Sequence, residues 1–113
     1  MRRGTTPDYL LTVHGADLSE CSVFVTIQQH SVMMTLSGAR LSVAAQDDTT
    51  NITFRLTQEE TLRFTAGGAN VQVRYIDADG TAMATDIGKI VIMPVLLEGV
   101  IEYVNDDTSE SDA

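Results

Sequence analysis

Two histidines and one cysteine are the side chains of this sequence best suited to metal binding or nucleophilic catalysis. His14 ends an alternating apolar segment and His30 lies in a polar turn. Neither has a His, Cys or Asp partner at a spacing typical of a metal site. Cys21 is in phase with Val23 on one face of a predicted strand, which favours a small core residue over a nucleophile. We therefore predict no catalytic residue, no metal and no cofactor.

Two acidic motifs favour a structural role over a chemical one. Asp77-Ala-Asp79-Gly80 begins like a calcium loop, but the remaining ligands and the glutamate at position twelve are missing. It is better explained as an acidic β-turn in which Gly80 supplies a positive φ. Glu59 and Glu60 are adjacent in a predicted helical turn, where neighbouring side chains diverge by about 100° and cannot converge on a substrate. With no catalytic set, we predict that the protein is not an enzyme.

Length and charge limit the remaining function classes. The 113 residues suffice for one domain, and a single cysteine excludes an internal disulfide framework. No apolar run approaches the roughly 18–20 residues of a membrane span, so we expect no membrane partner. The net charge is −9, and from Glu98 onward there are six acids and no base. This balance argues against a nucleic-acid partner. We predict a domain over residues 1–101 and an acidic, flexible tail over 102–113.

Alternation of apolar and polar residues predicts an all-β fold. The clearest strand spans 21–28, with Val23, Val25 and Ile27 on its buried face. Thr57 and Glu60 form a capping box, which predicts one short helical turn near 57–63. Gly88 is expected to mark a bulge or bend in the last strand, over 81–93. The other predicted strands are 9–14, 32–36, 40–44, 51–56 and 70–76.

This spacing of about ten residues per strand favours an immunoglobulin-like β-sandwich of about seven antiparallel strands in two sheets. The helical turn falls where such folds cross between sheets. The absence of Trp and the single Cys exclude an antibody-type domain. A small, partly open barrel is the alternative architecture.

One segment and the two chain ends suggest contact with another protein. The segment 90–97 is apolar on both faces, whereas one face of a strand in a small sandwich is normally exposed to solvent. Either Val100–Ile101 covers it or a partner does. The N-terminal arginines and the acidic end are either free or reach neighbouring copies head to tail, and exposed sheet edges also invite strand addition. We expect a homo-oligomer. The candidate partner-binding residues are Arg2, Arg3, Ile90, Ile92, Val95, Leu96 and Leu97.

Five short strings resemble small uncharacterised proteins encoded in prophages and phages of Gram-positive gut bacteria. They lie at residues 3–7 (RGTTP), 56–64 (LTQEETLRF), 71–74 (VQVR), 84–87 (ATDI) and 96–101 (LLEGVI). The resemblance implies a virion structural or assembly protein, made in the bacterial cytoplasm, that acts in the tail, baseplate or connector region. Its implied partners are other virion proteins or copies of itself.

Three other functions remain as alternatives. A receptor- or carbohydrate-binding module of a tail fibre normally presents aromatic platforms. Trp is absent here, and we expect Phe24, Phe54 and Tyr75 in the core. A capsid decoration protein is a second alternative. An acidic regulator that mimics nucleic acid is a third, but it needs ordered carboxylates, whereas many of the acids lie in the predicted tail.

Overall fold

The computed structural model describes residues 1–104, and eight strands and one helix lie within that range. The predicted tail over 102–113 therefore falls mostly outside the described residues. A 3-10 turn occupies Gly38–Arg40. The elements are β1 Asp8–His14, β2 Ser22–Gln29, β3 Val32–Ser37, β4 Ser42–Gln46, β5 Thr49–Arg55, α1 Gln58–Leu62, β6 Gly67–Ile76, β7 Ala82–Ala84 and β8 Gly88–Ile92.

The strands form two antiparallel sheets, which confirms the predicted all-β sandwich. One sheet has the order β1-β5-β4; the other has the order β3-β2-β6, and β6 continues to both β7 and β8. These orders match strands B-E-D and C′-C-F-G of an immunoglobulin domain. Hairpins join β2 to β3 and β4 to β5, while α1 carries the chain from one sheet to the other. No helix among residues 1–104 has the length and hydrophobicity needed to cross a bilayer.

Strand alternation builds the core between the sheets. Val23, Val25 and Ile27 of β2 point inward, as predicted, and meet Ile52 and Phe54 of β5 in one apolar cluster. Each inward side chain that loses its water contact stabilises the sandwich by about 1.5–3 kcal/mol. Three further members of the cluster lie outside the strands: Leu18, Leu56 and Phe64.

The last strand is interrupted, which gives eight strands where about seven were predicted. Ala84 lies opposite Arg74, and Gly88 lies opposite Val71. Three residues, 85–87, therefore face two residues of β6, which is the geometry of a β-bulge. The predicted bulge thus lies immediately before Gly88 and divides one long strand into β7 and β8.

The helix begins as predicted. The Thr57 side chain accepts a hydrogen bond from the Glu60 backbone N–H, and the Glu60 carboxylate accepts one from the Thr57 N–H at 2.8 Å. Glu60 also receives a bidentate ion pair from Arg40, at 2.7 and 2.9 Å. These contacts, led by the Arg40 hydrogen bonds, lower the pKa of the Glu60 carboxyl. Glu60 thus caps the helix and holds the Arg40 side chain beside it.

Candidate interaction surface

Residues 94–104, which we call the arm, follow β8 without regular structure and expose apolar side chains. Leu96 is fully exposed and Tyr103 is 90% exposed. Leu97, Val100, Ile101 and Val104 each expose half or more of their surface. An exposed apolar stretch of this kind typically marks a contact with another macromolecule.

The N-terminal segment is paired with β8 and is therefore not free. Its main chain runs parallel to the end of β8, with a bridge between Arg2 and Met93. The Met1 nitrogen donates to the Val91 carbonyl at 2.7 Å, and the Arg3 N–H donates to the Met93 carbonyl at 3.0 Å. The Arg2 guanidinium donates to the carbonyl of Pro94 at 2.7 Å. Residues 1–3 thus cover part of the outer edge of β8.

Arg3 connects the N-terminal segment, the helix and the arm. Its guanidinium donates to the carbonyls of Leu62, the last residue of α1, and Phe64, just beyond the helix, and to the Glu98 carboxylate at 2.7 Å. The Arg3 hydrogen bond lowers the pKa of Glu98, and the same contact raises the pKa of Arg3. Glu98 is largely exposed, so this pair positions the arm more than it stabilises the fold.

A second tether holds the arm at Ile101. The Gln58 amide donates to the Ile101 carbonyl at 3.0 Å and accepts from the Ile101 N–H at 2.8 Å. Val100 lies in a depression lined also by Thr6 and Arg55, where β1 begins and β5 ends. Residues 100–101 are therefore held beside α1 and do not cover β8. The sequence left two possibilities for covering segment 90–97, residues 100–101 of the same chain or a partner. The first of these is wrong.

The predicted partner-binding residues divide between the surface and the interior. Leu96 and Leu97 are exposed on the arm, while Ile90 and Val95 are half-buried. Arg2 is exposed and Arg3 is mostly enclosed, and the side chains of both are bonded within the chain. Ile92 is 1% exposed because its side chain points inward from β8. It belongs to the core and cannot contact a partner while the sandwich is folded.

The outer face of the five-stranded sheet is a second exposed apolar surface, which the sequence analysis missed. Its strand alternation turns Phe24 of β2, Met33 of β3 and Ile76 of β6 outward. The expectation that Phe24 lies in the core is wrong, since it is 39% exposed and out of phase with Val23 and Val25. Phe54 is buried and Tyr75 is half-buried against the core, in line with the expectation.

Cys21 and the acidic motif at residues 77–80, which were considered for chemistry, both make structural contacts. Cys21 is half-buried and packs against the core. Asp77 Oδ1 accepts hydrogen bonds from the N–H groups of Asp79 and Thr81, and Gly80 has φ +86°, so the motif forms the predicted β-turn. Over residues 1–104, no three His, Cys, Asp or Glu side chains lie close enough together to hold a metal ion.

Buried polar side chains in the described part of the chain all have hydrogen-bond partners. The Gln29 amide donates to the carbonyls of Thr65 and Gly68 and accepts from the Thr65 N–H at 2.8 Å. Thr61 accepts from the Gly4 N–H and donates to the Thr5 carbonyl, each at 3.0 Å. These groups fix loops and the N-terminal segment. Thr50, the third polar residue buried among residues 1–104, accepts from the Leu18 N–H and donates to the Ala16 carbonyl, each at 2.9 Å.

No protein-family model matches the chain, and no curated protein matches it.

Proposed function

We propose that this protein is a non-enzymatic structural or assembly component of a phage virion, in the tail, baseplate or connector region, and that it acts through protein contacts. The resemblance of five short strings to prophage-encoded proteins supports the virion context. The apolar surfaces of the arm and of the five-stranded sheet support a role in contacting other proteins.

The observation that carries the proposal is the arm. Its apolar side chains are held in solvent by two specific tethers, at Glu98 and at Ile101. Burying them against a partner would gain about 25 cal/mol for each Å² of apolar surface removed from water. A chain that keeps such residues exposed and positioned is suited to binding a protein partner.

The test uses the phage or prophage that encodes the protein. Its gene is deleted and, in parallel, replaced by a Leu96→Ser/Tyr103→Ser variant, and particles are purified from each culture. We expect the wild-type protein to be found in the particles, or the deletion to reduce the yield of complete particles. The arm variant is expected to reproduce the deletion.

The matched control is Leu10→Ser, at an exposed apolar position on the outer face of β1. It removes exposed apolar surface that lies away from the arm, so it should leave particle yield unchanged. Absence of the protein from particles, together with unchanged yield after deletion, would contradict the proposed function.

A further inference from the structure

The outer face of the five-stranded sheet combines apolar side chains with positive charge. Phe24, Met33 and Ile76 surround a shallow depression of about 490 Å³, also lined by Thr26, Thr35, Arg74 and Ala82. The hydroxyls of Thr26 and Thr35 bond each other at 2.9 Å across the floor of this depression. The surface is therefore open and mainly apolar, with a guanidinium at its margin.

This face is cationic although the chain carries a net charge of −9. Arg74 of β6 and Lys89 of β8 both point outward from it, and neither belongs to the three ion pairs among residues 1–104. No strand position that points outward from this sheet carries a carboxylate. These positions are Ser22, Phe24, Thr26, Gln28, Met33, Thr35, Ser37, Gly68, Asn70, Gln72, Arg74, Ile76, Ala82, Ala84, Lys89 and Val91.

The arm has the complementary chemistry. It exposes apolar side chains, and its two charged residues, Glu98 and Glu102, are both acidic. Eleven extended residues reach at most about 36–40 Å, which exceeds the roughly 20 Å width of a sheet four strands across. The arm is thus long enough, apolar enough and acidic enough to occupy the cationic face.

The arm does not occupy this face in its own chain. Its tethers to Arg3 and Gln58 hold it beside α1, and no arm residue lines the depression. Val100 lies near the ends of β1 and β5, in the other sheet. The donor segment and the acceptor face therefore occupy different parts of one molecule and are available to different neighbours.

We propose that the outer face of the five-stranded sheet binds the arm of a second copy of this chain. Because the donor and acceptor surfaces differ, the contact is heterologous and joins copies head to tail. Repetition gives a closed ring if the rotation between copies closes, and a filament if it does not. The inference deepens the proposed virion role by naming the partner, so it rests on that role for its biological setting only.

The test measures the mass of the full-length protein by light scattering and sedimentation over a range of concentrations. The acceptor variant is Met33→Glu/Arg74→Glu, and the donor variant is Leu96→Ser/Tyr103→Ser. We expect the wild type to assemble as concentration rises. Each variant alone should lower the association constant by about tenfold or more, because like charges or lost apolar contacts replace the complementary ones.

Mixing the two variants is the decisive measurement. The acceptor variant keeps an intact arm and the donor variant keeps an intact face, so a mixture should form a one-to-one dimer that cannot grow further. Contacts between two like surfaces would not be restored by mixing. A mixture that stays monomeric would therefore overturn the proposal.

Leu10→Glu/Ser42→Glu is the control, since it adds negative charge to the outer face of the three-stranded sheet without touching the arm or an ion pair. It should assemble like the wild type, and a control as defective as the acceptor variant would also overturn the proposal. Circular dichroism verifies that each variant is folded. A wild type that is monomeric at all concentrations would overturn the inference. An arm that docks on the face of its own chain, without concentration dependence, would also overturn it. If a wild-type protein that does not self-associate is nevertheless found in particles, the proposed function stands and only the self-association is refuted.

Discussion

Adjacent residues of β8 should respond very differently to the same substitution. Ile92 is 1% exposed and Val91 is 65% exposed, so Ile92→Ala removes buried carbons whereas Val91→Ala removes exposed ones. Three side-chain carbons at about 0.8 kcal/mol each give a transfer loss of about 2.4 kcal/mol for Ile92→Ala. The cavity left behind brings the expected loss into the range of about 2–5 kcal/mol. We expect Val91→Ala to stay within about 0.5 kcal/mol of the wild type.

Urea unfolding followed by far-ultraviolet circular dichroism measures both changes. For a domain of this size, a loss of 3 kcal/mol also lowers Tm by about 12 °C or more. Ile92→Val is the conservative control and should cost only about 0.5–1.5 kcal/mol, because it removes one methylene. The denaturant slope m should be unchanged in all three variants, since the surface exposed on unfolding is nearly the same.

The comparison of these variants also tests which side chains of β8 point inward and which point outward. If Val91→Ala destabilises the protein as much as Ile92→Ala does, the assignment of inward and outward positions along β8 is refuted. The outward positions of β6 would then also be in doubt, because the register of β8 is set by its pairing with β6.

Three further outcomes follow from the polar contacts. Thr57→Ala should destabilise the protein by about 1 kcal/mol through loss of the helix cap, and Thr57→Ser should not; thermal melting distinguishes them. Gln29→Met should cost about 1–3 kcal/mol in urea unfolding, because the part-buried hydrogen bonds of its amide with the Thr65 N–H and with the Thr65 and Gly68 carbonyls are lost. Arg3 holds the pKa of the Glu98 carboxyl below its usual range, so the arm tether is fully present above a pH of about 4.3 and is lost as pH falls through the lowered pKa. Backbone relaxation by NMR should show residues 96–100 becoming more mobile as the pH is lowered from 7 until the Glu98 carboxyl is protonated, and no such change in Glu98→Gln.

Strand alternation predicted the β-sandwich because one period explains most of the chain. Val23, Val25 and Ile27 are apolar at every second position, and only one of the two faces can be buried. The Thr57 capping box predicted α1 because both of its hydrogen bonds are local. Such local signals do not depend on knowing which strands are neighbours.

The interaction surfaces depend on long-range contacts, which the sequence does not encode locally. The segment 90–97 is apolar throughout, so its pattern has no phase to separate buried Ile92 from exposed Val91. From the sequence, Arg3 is expected to be free or to reach a neighbouring copy, but its acceptors lie 59–95 residues away in the same chain. The exposed position of Phe24 was predictable from its phase in β2, and its aromatic character alone suggested the core.

The parallel pairing of residues 1–3 with the end of β8 has a mechanical consequence. A pull that separates Met1 from Met93 along the strand direction loads their main-chain hydrogen bonds in shear, so that they must break together. A hairpin peeled from its open end would instead lose its bonds one after another. A molecule built this way resists stretching along that axis better than its few contacts at the sheet edge would suggest.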